Sequence, residues 1–261
     1  MRLTRYQLLL TTTVLLALAV VWLTDGVVRW LALGALFTAC GLVVGFGVSF
    51  PEWGLFGVSL SRVRTARKVV ALTFDDGPDP ASTPLLLDLL ARREVRATFF
   101  CIGELVAKHR ELARRIATEG HLIGNHTFAH SSATNFFRDA KLRADLEAAQ
   151  AEITRATGRA PEFFRSPMML TNQRIFRVIK ALPLTFVGCT VRAYDLRGDS
   201  MEQVLQRVLA GLKPGAIIAL HDGGVQPERL LDLVSRLLEQ LHTRSYRCLR
   251  LDELVACERT A

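Results

Sequence analysis

The sequence predicts an α/β protein, a (β/α) barrel of about seven units standing behind an N-terminal transmembrane helical hairpin. Three observations carry this expectation. Two long uncharged runs fill the start of the chain; strand-like apolar runs then alternate with helical stretches; and polar, chemistry-bearing residues fall directly after the strand-like runs. Alternation of this kind implies parallel strands joined by right-handed crossovers. With six to eight such units, a closed or nearly closed barrel is favoured over an open sheet.

The hairpin comes first. Tyr6 to Thr24 carries no charge, and neither does Trp30 to Pro51. Each run has about the 20 apolar residues that cross a hydrocarbon core of about 30 Å. Only Asp25, Gly26, two valines and Arg29 separate them, which is a tight turn. Trp22, Trp30 and Trp53 all sit at span ends, where an aromatic ring finds one wet and one apolar side. A second reading is a cleaved signal peptide followed by a buried core helix. That reading wants a small-residue cleavage site and polar mature sequence, whereas here another apolar run follows at once. The expected division is therefore residues 1–51 as two spans (about 6–24 and 30–51), 52–68 as a basic juxtamembrane linker, and 69–261 as the α/β domain.

The net charge of +8 is unevenly spread. Residues 1–61 carry +1, from Arg2, Arg5 and Arg29 against Asp25 and Glu52. Arg62, Arg64, Arg67 and Lys68 add +4, which leaves +3 for the remainder. A basic collar beside a span suggests anionic lipid headgroups. No basic stripe with interleaved aromatics appears later, so nucleic acid is not an expected partner. Cations on both sides of the hairpin favour placing both chain ends in the cytoplasm, on the inner (plasma) membrane. The five cysteines are odd in number; Cys40 lies within a span, and Cys101 and Cys189 fall in apolar, strand-like runs, as reduced core residues do and a disulfide framework does not.

Along the barrel, Val69 to Phe74 is a continuous apolar run, as expected of a strand buried on both faces. Ser82, Thr83 and Pro84 open a helix through Arg93, with proline in its first turn. Ala97 to Ile102 reads as a strand, Glu104 to Glu119 as one helix stopped by Gly120, and His121 to Gly124 as a short strand. A long helix covers about 138–157 and ends at Gly158. Shorter strands are expected at 162–165, 184–188 and 216–220. Asp199 or Ser200 caps a helix reaching Leu212; another spans about 228–241, and a strand follows at 247–251.

In a (β/α) barrel, catalytic groups collect at the C-terminal ends of the strands. Asp75-Asp76, His126 and His130, Arg165, Asp195 and His221-Asp222 all occupy such positions. Adjacent carboxylates at the end of an apolar strand are costly unless paired or bound to a cation, although Asp-Gly and Gly-Pro are also ordinary turn chemistry. His126 and His130 can face one point if their segment is helical or tightly turned. Two imidazoles and one carboxylate suit zinc or a related divalent ion, yet this histidine spacing also arises by chance. Of the other histidines, His109 and His242 fall on solvated helix faces and His121 reads as structural.

Together these residues resemble the NodB-homology polysaccharide deacetylases, carbohydrate esterase family 4, whose motifs run TFDDGP, H[ST]xxH, RxPY, a DxxDW-like segment and LxH. The chain has TFDDGP at 73–78, HTFAH at 126–130, RSPM at 165–168, RAYDL at 192–196 and ALH at 219–221. The first two match fully, the last three in part, and the resemblance covers roughly residues 66–255. It implies a distorted (β/α) barrel with one divalent metal, most often Zn2+, held by Asp76, His126 and His130. It further implies Asp75 as general base, Arg165 as the group orienting it, His221 as general acid, and Asp195 as the residue holding His221. Pro167 and Met168 would present the oxyanion donor.

The departures bear on substrate. Met168 replaces an aromatic residue, Leu196 a tryptophan, and Arg192 an acid, so one wall of the groove is altered. Ala219 replaces the leucine that closes on the acetyl methyl, which predicts a roomier acyl pocket and tolerance of acyl groups larger than acetyl. Because so few residues separate the second span from the first strand, the expected substrate is a membrane-proximal, lipid-linked N-acylated sugar. Peptidoglycan or an exported polysaccharide takes its place if the domain faces outward. A non-catalytic carbohydrate-binding protein of the same fold would be favoured by loss of Asp75 or a ligand, and neither is lost. A metal amidase acting on a non-sugar substrate draws support only from the altered groove.

Overall fold

The computed structural model describes residues 3–258; Arg2, counted above ahead of the first span, lies outside them. Two antiparallel helices open the chain, α1 (Arg5–Leu23) and α2 (Gly26–Ser49). Thr4 caps α1 by accepting from the Gln7 amide while the Gln7 side chain accepts from Thr4 N–H, a reciprocal cap. At the hairpin turn, the Arg29 guanidinium donates to the Thr24 carbonyl and the Asp25 carboxylate. Both helices are long and apolar enough to cross a membrane. Thr13 and Gly47 are their only buried residues.

The barrel follows as β1 (Val69–Gly77), α3 (Thr83–Arg92), β2 (Thr98–Cys101), α4 (Gly103–Lys108), α5 (Arg110–Thr118), β3 (Leu122–Asn125), α6 (Asp139–Thr157) and β4 (Phe163–Phe164). It continues with α7 (Gln173–Lys180), β5 (Thr185–Phe186), β6 (Val191–Arg192), α8 (Met201–Ala210), β7 (Ala216–His221), α9 (Pro227–Thr243), β8 (Arg247–Leu249) and α10 (Leu251–Ala256). The strands pair in parallel in the order β5-β4-β3-β2-β1-β7-β6, and β8 joins the first residues of β1. The sheet curls without closing strand to strand.

Side-chain alternation along β1 and β7 decides what faces the barrel interior. Val70, Leu72 and Phe74 of β1, with Ala216, Ile218 and Leu220 of β7, pack outward under α3, α8 and α9. Ala71 of β1, with Ile217 and Ala219 of β7, lies on the inner side with Phe100 and Leu251. Period two then turns Thr73, Asp75 and His221 inward as well. These polar residues thus end an inward row whose lower part is hydrocarbon.

The stretch expected as a juxtamembrane linker, residues 52–68, is built into this domain instead. Leu55, Phe56 and Val63 are buried. Leu60 bridges to Val187, just past β5, and Arg62 to Ala216, at the start of β7, so the segment straps the opening that the strands leave between the β5 edge and the β7–β6 edge. Gly215 lets it lie flat: the Gly215 N–H donates to Val69, its φ is +76°, and a Cβ there would collide with the Val63 carbonyl. Two of the four cations of the collar end up tied to carbonyls at the start of the strands. Arg62 bonds the Pro214 carbonyl and Lys68 the Arg244 carbonyl, roughly 20 Å of strand away from Asp75. The collar is next to the span in sequence but across the domain from the site in space. The end of α2, by contrast, meets the site's side of the barrel: the Val48 carbonyl accepts from Thr171 N–H and the Ser49 carbonyl from Arg192.

The helix expected over 104–119 is two helices, broken at His109 (φ −124°, ψ 51°). The helix α7, the two-residue strand β6 and the terminal α10 add to the elements expected from sequence. Four buried or half-buried cysteines sit in the domain with no disulfide among the described residues.

Candidate active site

Asp75 and Asp76 diverge because β1 is bulged between them. Asp75 aligns with Phe100 of β2 and Gly77 with Cys101, which leaves Asp76 as the extra residue, in left-handed backbone (φ 72°). A bulge re-aims one side chain without disturbing the rest of the ladder. His126 directly follows β3, and His130 lies four residues on in a tight loop, not a helix. Thr127 N–H donates to Asn125 Oδ1, His130 N–H to Thr127 Oγ1, and the Phe128 and Ala129 amides to the Asp145 carboxylate. Thr127 and His130 both have positive φ, and such strained backbone persists only where surrounding contacts over-determine it.

The outcome is a convergence of three donor atoms. His126 Nε2 and His130 Nε2 lie 3.1 Å and 3.0 Å from Asp76 Oδ1, and all three atoms fall within 4.8 Å of one another. His126 Nδ1 is 2.8 Å from the Arg165 carbonyl, which can only accept. In the neutral imidazole Nδ1 then carries the proton, which leaves the Nε2 lone pair facing Asp76. Asp76 Oδ1 is itself buried with no hydrogen-bond partner. Lone pairs held this close repel unless a cation lies among them, so the residues present fit a divalent ion with nitrogen and oxygen ligands.

Asp75 is gripped from below. Arg165, fully buried, follows β4 and donates from Nη1 to Asp75 Oδ1 and to Thr73 Oγ1, each at 2.7 Å, and from Nη2 to the Gly188 carbonyl at 3.0 Å. Its guanidinium lies 4.2 Å above the Phe100 ring centroid. A buried ion pair is tolerable when its remaining N–H groups are satisfied in this way. Across the cavity, Asp195 receives His221 Nδ1 at 2.8 Å on one oxygen and His221 N–H at 2.9 Å on the other. Burial alone would lower the His221 pKa. The Asp195 hydrogen bond and charge, with the Asp75 and Asp76 carboxylates behind them, outweigh it and raise it to about 9. His221 is thus a protonated imidazolium at neutral pH.

These groups open onto one cavity of about 320 Å³, lined by Asp75, Asp76, His126, His130 and His221 and walled by Met168, Leu196 and Ala219. Arg165 and Asp195 do not line it and act on it through Asp75 and His221. Pro167 is buried beneath it, in a single helical turn with Met168, whose φ is 55° and whose side chain is exposed. Ala219 is covered, and it shares an apolar cluster with Met169 and Cys189.

Sequence reasoning did not single out Met169, Tyr194 and Arg197, which also line the cavity. Nothing in the composition of that loop signals it; Tyr194 reaches its place through a positive φ. Asp222 was noted only as the neighbour of His221. It is fully buried, with its carboxyl against Gly77 and accepting from Thr83 Oγ1 at 2.5 Å, and burial pushes its pKa up to about 7. His121, read as structural, is buried and accepts from the Ala97 amide through Nδ1.

A profile of the family described as polysaccharide deacetylase matches residues 62–187. A peptidoglycan-N-acetylglucosamine deacetylase of Bacillus cereus is 34% identical over 196 residues, 74% of this chain and 91% of that protein. A chitooligosaccharide deacetylase of Bradyrhizobium is 37% identical over 155 residues, 59% of this chain and 70% of that one. Among solved structures, the Bc1960 peptidoglycan N-acetylglucosamine deacetylase, in complex with 4-naphthalen-1-yl-N-oxidanyl-benzamide, superposes with a TM-score of 0.73 at 30% identity. That match covers 80% of this chain and 96% of the other. Agreement of profile, sequence and curled parallel barrel over nearly the full length of such relatives means that the chain belongs to the polysaccharide deacetylase family, as a hydrolase of carbon–nitrogen bonds.

Proposed function

We propose that the chain is a divalent-metal-dependent N-deacetylase acting on a lipid-linked N-acylated amino sugar at a membrane that α1 and α2 span. The observation that carries the reaction is the convergence of Asp76, His126 and His130 between two differently prepared groups, an Arg165-bound carboxylate and an Asp195-bound imidazolium. A cation in that ligand set, zinc by its donor types, would supply acidification of the attacking water and polarisation of the acyl oxygen. The relative that binds an N-oxidanyl-benzamide, a hydroxamate able to chelate cations, supports the same ligand set.

The protein's own residues do the rest. Asp75 accepts the proton of the water as it attacks the carbonyl carbon, and Arg165 keeps the carboxylate aimed. His221 gives its Nε2 proton to the leaving amine, since an amine must leave protonated, while Asp195 fixes the ring by Nδ1. The backbone N–H of Met168, after Pro167, meets the oxyanion. Ala219 and Leu196 shape the acyl and sugar sides of the cavity. The small side chain at 219 admits acyl groups larger than acetyl.

The substrate reading rests on the setting: two apolar helices whose end is bonded to the site's own side of the barrel. Membrane lipid is the partner of those helices and an N-acylated sugar the partner of the cavity. The cations at Arg5 and at 62–68 support a cytoplasmic-facing domain at the inner membrane, because insertion reads flanking charges along the chain before the domain has folded. A second reading, favoured by the peptidoglycan deacetylase among the relatives, is a wall or exported-polysaccharide substrate on the outer side.

The test of the reaction is a pair of variants in the full-length protein. Asp75→Asn should keep its bound metal and lose about a hundred- to ten-thousand-fold in kcat, whereas His126→Ala should lose both metal and turnover. Wild-type protein purified without chelator that shows no divalent ion by elemental analysis would remove the metal-dependent reading.

A further inference from the structure

We propose that Arg192 and Arg197 form a subsite for a phosphate carried beside the acylated sugar, on the wall of the catalytic cavity nearest the end of α2. This deepens the deacetylase reading of the same site and rests on it. Both arginines line the catalytic cavity, and among the described residues neither joins an ion pair. Asp75, on the cavity wall, is already engaged by Arg165, and Asp195, behind the wall, by His221. Asp76 belongs to the ligand set. The neighbouring Arg207 is spent on Asp199 and the Ala193 carbonyl, so it offers no third cation.

The two guanidinium groups are held in place without being neutralised. Arg192 gives one N–H to the Ser49 carbonyl at 3.2 Å, which leaves most of its donors for a ligand. Arg197 stacks 3.9 Å above the Tyr194 ring. Planar forks fixed in this way match the oxygens of a phosphate in pairs. A neutral sugar chain would offer them only hydroxyl and amide acceptors, with no charge to pair.

Position selects the source of the anion. Arg192 and Tyr194 also line a second cavity of about 270 Å³ that reaches Phe50 and Glu52, immediately past α2. Glu52 is the one acid on that wall and makes no ion pair among the described residues. A group bound there lies at the depth where a spanning helix leaves the bilayer, which is headgroup level. Met168 and Leu196 add exposed hydrocarbon to the same wall, so cations and apolar surface occur together, as an amphiphile requires.

The experiment uses full-length protein in phosphatidylethanolamine–phosphatidylglycerol vesicles, with kcat/KM for acetate release on four substrates. These are tetra-N-acetylchitotetraose, N-acetylglucosamine 1-phosphate, a prenyl phosphate of N-acetylglucosamine, and N-acetylmuramic acid. Wild type should favour a phosphate-bearing substrate over the neutral tetraose. Arg192→Gln and Arg197→Gln should each lower that preference at least about tenfold, equivalent to about 1.4 kcal/mol; Arg197 is exposed, so its variant has no folding burden. Preference for the prenyl phosphate alone assigns the anion to a lipid headgroup, and equal preference for the soluble phosphate shows that phosphate suffices. A ratio unmoved in both variants, or a preference for the carboxylate of N-acetylmuramic acid, overturns the subsite while leaving the deacetylase standing. Acetate from none of the four overturns the deacetylase reading itself.

Discussion

At the scale of single residues, the site separates two jobs by giving each group a different partner. Asp75 faces a guanidinium, and His221 faces a carboxylate that raises its pKa to about 9. The sign follows from the role. An acid must hold its proton, so kcat should be level through neutral pH and fall as pH rises through about 9. The same raised pKa stabilises the fold below the unfolded value of about 6.5, and that contribution fades as pH climbs toward 9. Asp195→Asn keeps an acceptor for Nδ1 but removes the charge. The basic limb of the pH–kcat profile should then move down by a unit or more, toward the ordinary histidine range; an unmoved limb would deny His221 the role of acid. Ala219 poses a separate question of size. Ala219→Leu adds volume on the cavity wall beside Met169, so it should cut kcat/KM for butyryl substrates several-fold more than for acetyl ones. Equal losses on both would show that position 219 does not gauge the acyl chain.

At the scale of elements, what the sequence disclosed and what it withheld divide along a physical line. Long periodic segments and unbroken apolar strands were legible: β1, β7, α6 and α9 lie where the apolar patterns put them, because burial on one or both faces leaves a composition that can be read. So were the polar residues in the last positions of β1 and β7 and just beyond β3 and β4, since a titratable group at the end of an apolar strand is conspicuous. The two-residue β6 was illegible, as two residues have no period, and so was the break at His109, a backbone choice without a proline or glycine to announce it. The geometry of the site was less visible still. Asp76, Thr127, His130, Met168, Met169 and Tyr194 all adopt positive φ, and none is a glycine. Their conformations are imposed by hydrogen bonds and packing from distant parts of the chain, as with Asp145 holding the loop before His130. A motif can therefore name the ligands while the bulge that separates Asp75 from Asp76 appears only once β2 is beside them.

At the scale of the whole molecule, the strap over residues 59–63 changes how the membrane bears on the chemistry. A free linker would let the barrel tumble. Here the bonds from Val48 and Ser49 to Thr171 and Arg192 fix the end of α2 beside the cavity, while the strap carries the chain to the far end of β1. The cavity consequently faces the side where α2 emerges, and the basic residues of 62–68 face away from it. On the proposed membrane-spanning reading, anionic headgroups would meet the Arg192 wall and not the collar, which would leave the collar to act on insertion, when the nascent chain is still extended. That separation makes topology a clean test of substrate. A C-terminal fusion to a reporter that is active only in the cytoplasm should be active, and one that is active only outside should be silent. The reverse pattern would show that insertion ignored the four cations, and it would move the expected substrate from a lipid-linked precursor to a wall or exported polymer. The catalytic residues would be unchanged by that result, because the ligand set and the Asp75–Arg165 and His221–Asp195 pairs lie within the barrel and do not depend on the side it occupies.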